Sequence, residues 1–110
     1  MDGKLGVTGK VGDKVTADQA YAEARVAVLN AIAAAASVCG LNNIKSIVKV
    51  VGFVNSAEGF TGQAGVINGA SEMLGAIFGQ AGQHARSAVG VAELPLDAAV
   101  EVELIVEVKD

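Results

Sequence analysis

The order of elements readable along the chain is helix, strand, helix, strand, strand. It predicts an α+β fold with helices layered on one face of a sheet. Three observations carry that prediction. A capped stretch keeps small and apolar residues at three- and four-residue steps. Separate segments rich in β-branched residues read as strands. At 110 residues the chain makes one domain, 1–110, around a single core.

Residues 1–15, MDGKLGVTGKVGDKV, hold glycines at 3, 6, 9 and 12. The spacing fits neither dinucleotide nor nucleotide phosphate loops, because Lys10 is followed by Val11. A flexible connection is expected. Thr16-Ala-Asp-Gln19 reads as a capping box, with Asp18 complementing the first turn. The helix then runs Ala17 to Cys39, with Ala20, Ala24, Val28, Ala31, Ala35 and Val38 along one side and Gly40 closing it. Ile44 to Asn55 is a strand whose apolar residues occupy both parities, so protein is expected on both faces. Ser56 to Gly59 breaks it. A second helix is read over Phe60 to Phe78, weakened by Gly62, Gly65, Gly69 and Gly75, whose expected role is close helix-on-sheet packing.

Two strands follow, Ala85–Ala92 and Ala99–Val108, joined through Glu93-Leu-Pro-Leu-Asp97. If they pair as a hairpin, Arg86, Ala88, Gly90 and Ala92 lie on the sheet face away from the helices. Glu101 would then face Gly90, roughly 13 Å from Arg86 at ~3.3 Å per residue. Glu101, Glu103 and Glu107 alternate with valines, and three like charges repel if dried together; Glu101 is expected to be the buried one.

Composition bounds the function. Hydrophobic residues make 52% and charged residues 18% of the chain, with a mean hydropathy of +0.47. Apolar surface in excess of one core predicts an oligomer. A net charge of −4 with eight scattered Lys and Arg offers no basic stripe for nucleic acid. The single cysteine, Cys39, is expected to be a buried structural thiol in a reducing compartment. MDGKLG carries no apolar signal region, and the apolar runs are broken by Asn30, Ser37 and Lys49. No membrane span is expected, and the location expected is the cytoplasm. His84 is the sole histidine, which excludes a multi-histidine metal site; it is expected on a loop. Ser56 and Ser71 lack the context of a serine nucleophile. Arg86, heading an apolar strand, has three readings on its residues alone: a solvated edge, an ion pair between subunits, or an anion receptor. On those residues alone a solvated charge at a strand start is the ordinary reading; small Ala88 and Gly90 beside it bring in the receptor, because a guanidinium next to open backbone donors can clamp a carboxylate.

IVKVVGFVNSAEGF at 47–60, VINGASEML at 66–74 and RSAVGVAELPLDAAVEVELI at 86–105 together resemble the Rid family, also called RidA or YjgF and labelled endoribonuclease L-PSP. The resemblance spans nearly the whole chain. It implies a chorismate-mutase-like fold with a mixed sheet, assembled as a homotrimer with clefts between subunits. It implies hydrolysis of reactive enamines and imines, of the 2-iminobutanoate or 2-iminopropanoate type, to 2-oxo acids and ammonia. By the same resemblance Arg86 binds the substrate carboxylate, the Ala88 amide helps hold it, Asn68 lies near the cleft, and Glu101 activates water. No cofactor and no metal are implied. Two departures stand out. The family's N-terminal β-hairpin, which supplies an aromatic residue to the cleft, would end before MDGKLG, and Ala88 replaces a cysteine found in many relatives. The expected guest is thus a small carboxylate-bearing imine or a 2-oxo acid. The alternative is a non-catalytic trimer that binds 2-oxo acids or partners. A ribonuclease is the third reading, and the acidic charge counts against it.

Overall fold

The structure, a computed structural model, describes residues 6–110. Helix α1 spans Ala17–Cys39, strand β1 Ile44–Asn55, helix α2 Gln63–Phe78, strand β2 Ala85–Val91 and strand β3 Val100–Val108. The class is α+β as expected, with both helices on one face of a mixed three-stranded sheet.

The capping box that starts α1 is formed in both directions. Gln19 N donates to Thr16 Oγ1 at 3.1 Å, and Thr16 N donates to Gln19 Oε1 at 2.9 Å. Gly40, at φ 85°, ends the helix and donates its N–H to the Ala36 carbonyl. The buried stripe is Ala20, Ala24, Val28 and Ile32. Its steps of four carry it past Ala31, and the expected Val38 is 88% exposed while Cys39 packs against the core instead. By length and mean hydropathy (1.4) α1 is apolar enough to cross a membrane, contrary to the reading that Asn30 and Ser37 interrupt it. Those two neutral residues sit among alanine, valine and isoleucine and lower the average without bringing it under what a span needs. The helix packs its stripe against α2 and β3.

α2 begins at Gln63, three residues later than expected, because Gly59 at φ 84° turns the chain and the first helical bond runs from Val66 N to the Gly62 carbonyl. Its buried residues Val66, Ile67, Ala70 and Leu74 settle on β1, where Gly52 leaves room for the Ile67 side chain. Of the helix glycines, Gly69 has the packing role, and it is against α1: a Cβ there would strike the Tyr21 carbonyl oxygen. Gly65 and Gly75 face open space. Tyr21 Oη donates to Glu72 Oε1 at 2.7 Å and ties the two helices together at their surface.

The sheet order is β2-β1-β3, so β2 and β3 are not a hairpin. β1 and β2 run parallel, joined through α2, from Lys49 opposite Ala85 to Asn55 opposite Val91. β3 lies antiparallel on the other side of β1, ending with Val54 opposite Val100. The connection between β2 and β3 is long enough to cross the end of β1, and buried Asn55 holds it there. Asn55 Nδ2 donates to Asp97 Oδ1 at 3.1 Å and to the Ala98 carbonyl at 3.0 Å, and its backbone N–H donates to the Ala99 carbonyl. Leu96 and Asp97, both at φ 58°, make the tight bend this requires. Lys10 Nζ reaches Asn55 Oδ1 and the Ala92 carbonyl from the other side.

The N-terminal stretch is not a loose connection where it is described. Val11 and Val15 are fully buried, and Val11 exchanges backbone hydrogen bonds with Asn55 and Ala57. Burial of two valines outweighs the freedom of Gly9 and Gly12, whose positive φ shapes the turn between them. Residues 1–5 lie outside the described residues.

Neighbours across a ladder point to the same face. Buried Val50 and Val54 on β1 therefore put Arg86 and Gly90 of β2, with Leu104 and Val100 of β3, on the helix side. The other face of β1, with Val51 and Phe53, is half-buried rather than covered.

Candidate functional site

Arg86 sits near the start of β2, opposite Val50, with its side chain under α2. Nη1 donates to Ser71 Oγ at 3.1 Å and Nη2 to the Ala64 carbonyl at 3.2 Å. Both acceptors are neutral. Among the described residues the ion pair within 4 Å is Lys45 with Glu107, at 3.8 Å, so Arg86 keeps an uncompensated positive charge. Two hydrogen bonds to one helix fix the plane of the guanidinium and leave its other N–H groups to point elsewhere.

They border a cleft of about 420 Å³. From α2 come Asn68, Ser71 and Gly75, at helical offsets of three and four that place them on one stripe. That stripe lies beside the buried one formed by Ile67, Ala70 and Leu74. Gly79 at φ 61° ends α2, and the 3-10 turn Gly79–Gly82 folds back against it. Gly82 is so close that a Cβ would meet the Leu74 carbonyl oxygen. This return brings Gln83 and His84 to the cleft before β2 starts. His84 Nδ1 lies 3.1 Å from the Ala85 carbonyl oxygen.

The arrangement differs from the sequence expectation in two ways. Arg86 and Ala88 face the helices, not the opposite side of the sheet, because β1 and not β3 is their neighbour. Glu101 pairs with Phe53 and so lies on the far face, two strands from Val89, which pairs with Phe53 from the other side. It is exposed, as are Glu103 and Glu107, so no glutamate of this strand is the buried one. Within a protomer, Arg86 and Glu101 do not flank one space.

The expected cleft residues Arg86 and Asn68 do meet, while Ala88 packs against the core just beyond them. Ser71, Gln83 and His84 were not foreseen as cleft residues. Helical spacing from Asn68 to Ser71, and the two-residue step from His84 to Arg86, were the available signals. Among the described residues no group of three or more His, Cys, Asp or Glu is placed to hold a metal ion. Cys39 is half-buried, its Sγ 3.3 Å from the Ala35 carbonyl, remote from this cleft in the sequence and in its neighbours.

Residues 1–108 match the family described as "YjgF/chorismate_mutase-like, putative endoribonuclease". The chain is 42% identical over 106 residues to Protein TCP17 of Trypanosoma cruzi, covering 94% of this chain and 66% of that one; it thus spans about two thirds of that relative's length. Among solved structures it resembles the protein Atu1372 of Agrobacterium tumefaciens, whose function is unknown, with a TM-score of 0.96 and 40% identity. That match covers all of this chain and 71% of the other. It also resembles a structure described as a "putative endoribonuclease" from Shewanella oneidensis MR-1, with a TM-score of 0.94 and 36% identity over 98% of this chain and 72% of the other.

Proposed function

Because this chain belongs to the YjgF/chorismate mutase-like family, we propose that it binds a small carboxylate-bearing imine or enamine through Arg86 and hydrolyses it to a 2-oxo acid and ammonia. The observation that carries the reading is a guanidinium held by two neutral acceptors at the wall of a cleft that Asn68, Ser71, Gln83 and His84 also line, with no acid among the described residues within 4 Å of it. A carboxylate is the natural complement, since bidentate pairing satisfies two N–H groups at once. Asn68 adds an amide that can donate to or accept from the guest. An imine carbon is already electrophilic, so the reaction needs orientation and a water molecule rather than a cofactor.

The same proposal includes a homotrimer. Val89, 43% exposed, lies beside half-buried Phe53 on the sheet face the helices leave open, Ile105, 56% exposed, lies farther along that face opposite Lys49, and a second copy would cover these apolar side chains. Glu101 stands on that face too. It enters a cleft only across a contact between copies, and its role in activating water depends on that contact. A cytoplasmic location, consistent with one free thiol, belongs to the proposal as well.

A second reading has its own support: within one protomer Arg86 and Asn68 line one cleft that Glu101 does not reach. On that reading the chain binds 2-oxo acids and turns nothing over. Ammonia release from freshly generated 2-iminobutanoate separates the two. Turnover that falls in Arg86→Ala supports the enzyme, and binding of 2-oxobutanoate without turnover supports the binding protein. RNA cleavage that survives Arg86→Ala would sink both, though a net charge of −4 counts against it.

A further inference from the structure

We infer that Gly75 sets the substrate class of the Arg86 cleft, its missing side chain leaving a subsite for 2-imino acids with longer, uncharged side chains than 2-iminobutanoate carries. This deepens the reading proposed above and rests on it: Arg86 holds the carboxylate, and the subsite takes the other end of the guest.

The cleft is too large for the short guest. Its volume is about 420 Å³. The seven heavy atoms of 2-iminobutanoate, at the ~30 Å³ a water molecule takes in the liquid, fill about half of it. The spare room lies toward Gly75. Arg86 donates to Ser71 Oγ and to the Ala64 carbonyl, so its guanidinium is held between those two positions of α2. Gly75 lines the same cleft one turn further on, ~6 Å from Ser71 along the helix axis. Four bonds of ~1.5 Å cover that distance, which is the reach of an alkyl chain of about four carbons.

Packing does not require a glycine here. Glycine is the weakest helix former after proline. Gly69 lacks a side chain because the Tyr21 carbonyl crowds it, and Gly82 because the Leu74 carbonyl does. A Cβ at Gly75 meets no neighbour within 4 Å. Gly65 is equally free, but it is not among the residues that line the cleft. At Gly75 the open space is the cleft itself.

No counter-charge awaits the far end of the guest. Of the lining residues Arg86 alone carries a permanent charge, and the carboxylate neutralises it. A second carboxylate or an ammonium at the subsite would lose water without gaining a partner. An uncharged chain has no such cost.

The test compares 2-iminohexanoate with 2-iminobutanoate in turnover, and 2-oxohexanoate with 2-oxobutanoate in binding, on the full chain and on Gly75→Leu. Wild type is expected to favour the six-carbon guest about tenfold or more in kcat/KM and in affinity. Gly75→Leu fills the subsite, improves helix propensity and should melt no lower than wild type. Its preference for the six-carbon guest is expected to fall about tenfold. Gly75→Ala, which adds a single methyl group, should move the preference the same way by about threefold. A wild-type preference under about threefold, or one that both variants leave unchanged, overturns the inference. A six-carbon preference in binding without turnover overturns the enzymatic reading and upholds the subsite. Binding of neither 2-oxo acid overturns Arg86 as receptor and the subsite with it.

Discussion

Arg86 Nη1 donates to Ser71 Oγ at 3.1 Å, a hydrogen bond from the edge strand β2 to the helix α2 above it. It makes the charge at the cleft a positioned one, since the guanidinium is held before any guest arrives. A long side chain restrained in advance loses less freedom on binding. Ser71→Ala removes one of two anchors and leaves the other, the Ala64 carbonyl, in place. The expected result is an affinity for 2-oxobutanoate lowered about three- to tenfold, a loss of about 1 kcal/mol. Thermal stability should be unchanged. Isothermal titration calorimetry beside a melting curve checks both.

Glu101→Gln separates the contribution of the open sheet face from that of the cleft. Glu101 is exposed and pairs in register with Phe53. If a neighbouring copy delivers Glu101 to the cleft, the variant loses kcat about a hundredfold or more. A kcat within about threefold of wild type would mean that Glu101 takes no part in activating the water. Steady-state kinetics on wild type and variant, with sedimentation to record assembly, gives the answer.

Asn55 is the residue on which the topology turns. It is fully buried, and its side chain donates to Asp97 and to the Ala98 carbonyl while accepting from Lys10. Asn55→Ala leaves buried carbonyl groups without a donor and loosens the crossing between β2 and β3. A loss of about 3 kcal/mol in urea unfolding is expected. Asn55→Asp would be little better, because it cannot donate to those carbonyls when ionised.

Two glycines of α2 should respond in opposite directions. Gly65→Ala adds a methyl group into open space and restores helix propensity, which should stabilise by up to about 1 kcal/mol. Gly69→Ala drives a methyl group into the backbone of α1 at Tyr21 and should destabilise by about 1–3 kcal/mol. Chemical denaturation of the pair is a direct check on the helix packing.

Much of this architecture is legible in the sequence because its signals are local. Thr16 and Gln19 announce α1, Gly40 closes it, and the β-branched run fixes β1 at the bounds the structure shows. Arg86 and Asn68 reach one cleft, as their resemblance to family motifs implies. What the sequence hides is non-local. Leu-Pro-Leu between two strands reads as a hairpin loop, and only the buried Asn55 network shows why β1 intervenes instead. That single change of neighbour moves Arg86 to the helix side and separates it from Glu101. Val11 and Val15 were hidden by the glycines around them, whose conformational freedom masks two buried contacts. His84 reads as a loop residue, and it becomes a cleft residue because Gly82 lets the chain turn back onto α2.

The central claim is that Arg86 receives the carboxylate of the guest. Its most direct test is hydrolysis of freshly generated 2-iminobutanoate by wild type and by Arg86→Ala, with circular dichroism confirming the same fold. The account predicts that kcat/KM falls about a hundredfold or more on losing a charged, two-pronged contact. Equal turnover by the two proteins would contradict it.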